Sequence, residues 1–183
     1  MNRNSLLKTA AAMVMLTATA AFAQLSSNST SVTLNATVSE SLTVLINSGS
    51  VVNFGTLTAG AGATTNIGNV PINVTTSWNL GTATGNSVKV YAFFATPSQA
   101  LSNGTNYIPA ADVMATVNSG TPAALTGSFG TLPIDSATIT NSTLQGTLTD
   151  SIALGLNLSS FTSATLPAGT YTGTLYIQAQ AAS

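Results

Sequence analysis

One run of sixteen residues, 31–46, constrains the fold more than any other stretch of the chain. Val32, Leu34, Ala36, Val38, Leu42, Val44 and Ile46 occupy its even positions, and Ser31, Thr33, Asn35, Thr37, Ser39, Ser41, Thr43 and then Leu45 its odd ones. A period of two sends alternate side chains to opposite faces of a strand, so the apolar set is buried and the hydroxyl and amide set faces water. The pattern breaks at Glu40. At about 3.3 Å per residue the run would reach ~50 Å, whereas a domain of this size has a radius of gyration of only ~15 Å. A single straight strand would overhang its own domain. Either the run bends at Ser39-Glu40-Ser41 into two strands, or residues 31–38 leave the domain and pair elsewhere.

The rest of the chain repeats the pattern in shorter pieces. Val70, Ile72, Val74 and Thr76 alternate up to Trp78, and Pro71, which cannot donate to a ladder, puts the strand's start or a sheet edge there. Residues 87–95 carry Val88, Val90, Ala92 and Phe94 on one side and Lys89, Tyr91 and Phe93 on the other, two apolar faces that suit a central strand. Further strands are expected over 51–57, 112–117, 147–158 and 170–181, with weaker extended pieces at 107–109 and 125–132. Gly-, Asn- and Pro-rich turns separate them. Helical spacing is absent from residues 24–183 apart from a single turn around 110–115. Many short alternating strands between turns predict an all-β antiparallel sandwich.

The first 23 residues read differently. Arg3 and Lys8 precede an apolar stretch, 9–22, that closes on Ala21-Phe22-Ala23. This is the layout of a secretory signal peptide cleaved between Ala23 and Gln24, and the apolar run is short of the ~20 residues that span a bilayer. The expected organisation is a signal peptide over 1–23, an N-terminal extension over 24–38, and one sandwich domain over 39–183. No membrane span is expected after the signal.

Composition then limits the chemistry. Beyond residue 23 the charged side chains are Lys89, Glu40, Asp112, Asp135 and Asp150, a net charge of −3, where an ordinary domain is about one quarter charged. One lysine cannot neutralise a phosphate backbone, so nucleic acid is excluded as a partner. Little charge means little mutual repulsion, which favours association. The chain has no His and no Cys, removing the commonest acid–base group and the thiol nucleophile. Nothing in the spacing of Asp112, Asp135 and Asp150 brings two together as a glycosidase would need, and no calcium-loop spacing occurs. No catalytic residue, metal ligand or cofactor is therefore expected.

Two binding hypotheses remain. An exposed alternating strand is a template for strand addition, in which main-chain hydrogen bonds supply affinity and alternate side chains fill pockets; Val32, Leu34, Ala36 and Val38 would be the plugs. Alternatively Trp78, Tyr91 and Tyr107 form a stacking platform for carbohydrate on a self-contained module.

Several short motifs carry a resemblance. The alternating strand 32–38, a second strand 42–46, Asn53-Phe54-Gly55-Thr56, Val74-Thr75-Thr76 before Trp78, and a closing Pro167-Ala168-Gly169-Thr170-Tyr171-Thr172-Gly173-Thr174-Leu175 follow in order. Together with the signal peptide they resemble bacterial spore-coat-U-like secreted proteins and chaperone–usher pilins. The cysteine pair usual in those families is absent, as is the pilins' near-terminal aromatic. The resemblance implies an incomplete immunoglobulin-like, pilin-like sandwich. Its missing strand would come from a periplasmic chaperone, delivered through an usher, and then from the N-terminal segment of another subunit. The implied protein is a non-enzymatic component of a fimbrium or coat at the cell surface.

Overall fold

The computed structural model describes residues 31–81 and 87–182. The expected signal peptide, residues 24–30 of the extension and most of the turn expected at 81–85 lie outside the described residues. The chain divides into two units, Met1–Thr37 and Val38–Ser183. Of the first, residues 31–37 are described; they belong to no helix or strand, and their side chains are exposed.

The second unit is an all-β antiparallel sandwich. Among the described residues ten strands follow in order: β1 (Ser41–Ser48), β2 (Ile72–Asn79), β3 (Ser87–Phe94), β4 (Leu101–Ser102), β5 (Tyr107–Ile108), β6 (Val113–Val117), β7 (Ala123–Ala124), β8 (Asp135–Thr138), β9 (Gln145–Leu156) and β10 (Leu175–Ala182). One sheet has the order β1-β2-β9-β6-β7, the facing sheet the order β10-β3-β8, and β4 and β5 form a small hairpin. All pairings are antiparallel. Among the described residues the helical content reduces to two 3₁₀ turns, Pro97–Gln99 and Ala110–Asp112.

Alternation accounts for both layers. From the first sheet Ile72, Val74, Thr76 and Trp78 of β2, Ile152, Leu154 and Leu156 of β9, and Val113 and Ala115 of β6 turn inward; from the second, Val88, Val90, Ala92 and Phe94 of β3 meet them. Pro71 stands one residue before β2, where no ladder donor is required, and β2 lies between β1 and β9 rather than at an edge. β3 is central in its sheet, as two apolar faces require. Trp78 closes a smaller satellite core with Val88 and Ile139.

Two expected strands are not strands. Residues 51–57 keep their alternation, with Val52, Phe54 and Leu57 half-buried, but their main chain joins no ladder. Gly55 takes a positive φ of 66°, and Asn53 trades hydrogen bonds with Asn69 instead: its N–H donates to Asn69 Oδ1 and its carbonyl accepts from Asn69 N–H, both at 2.9 Å. Residues 125–132 likewise form no strand: after the short strand β7 one more main-chain bond, from Leu125 N–H to Val113 O at 2.9 Å, ends the pairing with β6.

The loop between Thr58 and Gly68 is held by one side chain. Asn66, fully buried, accepts from Thr58 N–H at 2.7 Å and donates to the carbonyls of Thr58 and Ala61 at 3.1 and 3.3 Å. That cinch lets Asn66 O and Leu154 O accept from Leu156 and Gly68 N–H, so the loop continues the sheet beside the end of β9. Asn66→Ala is expected to cost roughly 2–3 kcal/mol, because it strands several buried polar groups at once; equilibrium urea denaturation measures it.

Candidate functional site

The site follows from where the sandwich is left open. β1 is the edge of one sheet and β10 the edge of the other, and the two approach each other on the same side of the sandwich. Each has a partner on one side only among the described residues, so each presents a row of unpaired main-chain donors and acceptors on the other. Their inward side chains are incompletely covered. Leu42 and Val44 of β1 and Leu175, Ile177 and Ala179 of β10 are half-buried, and Ile46 is 42% exposed, whereas Val88, Val90, Ala92 and Phe94 of β3 and Ile152, Leu154 and Leu156 of β9 are buried. An interior strand buries this face, and these two do not.

Between them runs a groove of about 900 Å³. Ile72, Phe94, Leu101, Val113, Leu154 and Leu166, all core residues, reach its floor. One wall is the unpaired segment with Val52, Phe54 and Leu57; the other is Tyr171 and the start of β10. Tyr171 is fixed by its hydroxyl, which donates to Pro167 O at 3.0 Å. Gly173 is required for this wall: a Cβ there would collide with the carbonyl oxygen of Ala100. No charged side chain lines the groove.

The four plug residues stand apart from any ladder. Residues 31–40 form no strand, and Val32, Ala36 and Val38 are exposed, as is Leu34 at 89%. β1 starts at Ser41, after the break at Glu40. Glu40 is used there: its Oε1 accepts from Gly81 N–H at 2.7 Å.

The three aromatic candidates are not brought onto one surface. Trp78 points into the core, 7% exposed, with its indole N–H donating to Thr143 O at 3.0 Å. Tyr91 lies on the outer face of β3, buried beneath Phe129 at a centroid distance of 5.2 Å. Tyr107 is in the β4–β5 hairpin, partly exposed. The outer face of the smaller sheet instead carries Phe93 stacked on Tyr176, 5.7 Å apart, with Phe129 beside Phe93. Tyr176 is 47% exposed. It was legible in principle, since it is out of phase with the inward Leu175 and Ile177.

Of the carboxylates, Asp112 is alone at its 3₁₀ turn, where burial raises its pKa. Asp135 and Asp150 do meet, contrary to expectation, because β8 and β9 belong to opposite sheets and both turn these residues inward. Among the described residues no cluster of three or more acidic side chains could hold a metal ion, and no helix is long and apolar enough to cross a membrane. No protein-family model, curated protein or solved structure matches the chain.

Proposed function

We propose that the protein is a non-enzymatic, exported structural subunit that assembles at the cell surface by strand complementation, in the manner of the pilin-like and spore-coat-U-like proteins it resembles. The supporting observation is the apolar groove between the two free edges β1 and β10. Its occupant is the alternating segment 31–38 of another copy, with Val32, Leu34, Ala36 and Val38 entering and the odd-numbered polar residues facing out. The lengths agree: β1 and β10 have 8 residues each, and so has the segment, at about 26 Å when extended. Full burial of two valines and a leucine contributes roughly 5–8 kcal/mol before the costs of association. An uncharged groove suits an uncharged segment.

Removal of residues 24–38 leaves every strand of the sandwich intact, since β1 starts at Ser41. The truncated subunit is expected to be exported and folded yet monomeric in sedimentation, with no fibres in electron micrographs, while the full chain assembles. Fibres from the truncated chain would overturn this reading.

A further inference from the structure

At the seam opposite the groove, two carboxyls face each other inside the sandwich. Asp150 of β9 is 3% exposed. Its Oδ1 accepts from Asn118 Nδ2 at 3.0 Å, while its Oδ2 is buried with no donor. Asn118 is fixed in turn: φ is 49°, its N–H donates to Ser151 O and its Oδ1 accepts from Ser151 N–H, both at 2.9 Å. The amide nitrogen therefore has to face the carboxylate. Across the seam Asp135 begins β8 and lies within hydrogen-bonding reach of Asp150. One Asp135 oxygen accepts from Ser136 N–H, leaving the other available.

Among the described residues no cation answers them. β2 presents Val74 and Thr76 beside Asp150, and the Thr76 hydroxyl is itself buried without a partner. β3 presents Val88 and Val90 inward, and its Lys89 alternates to the outer face. Two carboxylates are acceptors only, and they hydrogen-bond to each other only when one is protonated.

We propose that Asp135 and Asp150 share one proton, and that this proton latches β8 across the sandwich to β9. β8 is the end strand of its sheet, four residues paired with β3 alone, so few other contacts hold it. Residues 132–134, which lead into β8, form one wall of a separate cavity of about 300 Å³ whose other walls include Ala92, Ala115, Val117 and Ala124. Loss of the proton to solvent leaves two facing carboxylates, and β8 with this wall is what yields.

Burial first, and Asp135 second, push the Asp150 carboxyl up to about 6. The sign follows. An acid whose pKa is higher folded than unfolded stabilises the folded state fully below its ordinary value near 4, and that stabilisation is lost as pH rises through 6. Two units correspond to about 100-fold in the closing equilibrium.

Hydrogen exchange on the chain, corrected for intrinsic rates and compared at pH 4.5 and 7.5, tests this. Protection of the β8 amides is expected to fall on the order of 25-fold at the higher pH, part of the effect being already lost at pH 4.5, while β2 and β9 keep theirs. In Asp150→Asn, whose amide donates at any pH, the fall should vanish. If that variant does not fold, Asp135→Asn, at a less buried position, should shrink the same fall, burial of Asp150 sustaining the remainder. Equal protection at both pH values, a loss spread evenly over β2 and β9, or a fall undiminished in the folded variant would overturn the latch.

Discussion

Trp78→Ala is expected to cost about 3–5 kcal/mol of stability, the range for removing a buried aromatic side chain, out of a total of roughly 5–15 kcal/mol for a domain. Three losses coincide. The indole fills the satellite core between Leu42, Val88, Ile139 and Leu148. Its ring lies over Gly146, its cross-strand neighbour, where any Cβ would meet the indole. Its N–H satisfies Thr143 O. Trp78→Phe, which keeps a ring and drops the hydrogen bond, should cost less, about 1–3 kcal/mol. The chain has one tryptophan, so urea midpoints must be followed by far-ultraviolet circular dichroism. A midpoint unchanged in Trp78→Ala would contradict the burial described here, and would return Trp78 to consideration as a surface ligand.

That residue also marks how far the sequence carries. Its strand was legible because Ile72, Val74 and Thr76 repeat at period two, and periodicity fixes which side of a strand is apolar. It does not say whether a large aromatic at the end of the run closes the core or stands at a rim. Burial is a property of both sheets together, and Trp78 finds a carbonyl for its N–H from residue 143, which no local pattern announces. The segment 51–57 shows the opposite limit: it alternates like a strand and is half-buried like one, yet no neighbour aligns with its main chain. Asp135 and Asp150 were unreadable as a pair for a related reason. They are fifteen positions apart, but β8 and β9 belong to different sheets, and only the sandwich brings them face to face. The proposed acceptor groove is likewise a property of sheet order, visible only once β1 and β10 are found at matching edges.

Leu34→Asp in the full chain is expected to abolish assembly, whereas Thr33→Asp one position earlier should leave it nearly unchanged. Both variants add one carboxylate to an exposed segment, so they change the net charge equally. They differ in the face of the strand that carries it. If residues 31–38 enter the groove of another copy as an alternating strand, even positions go to its apolar floor and odd positions to water. No cation lines the groove to pair an entering carboxylate, and an unpaired buried charge costs several kcal/mol. At about 1.4 kcal/mol per tenfold, that weakens association by two to four orders of magnitude. The outward carboxylate at position 33 loses almost nothing to desolvation. Sedimentation of the purified variants at equal concentration reads both effects. Equal loss in the two would mean that charge alone disperses the subunits, and equal assembly would mean that this segment is not the strand that fills the groove; a split by parity is what the open edge between β1 and β10 requires.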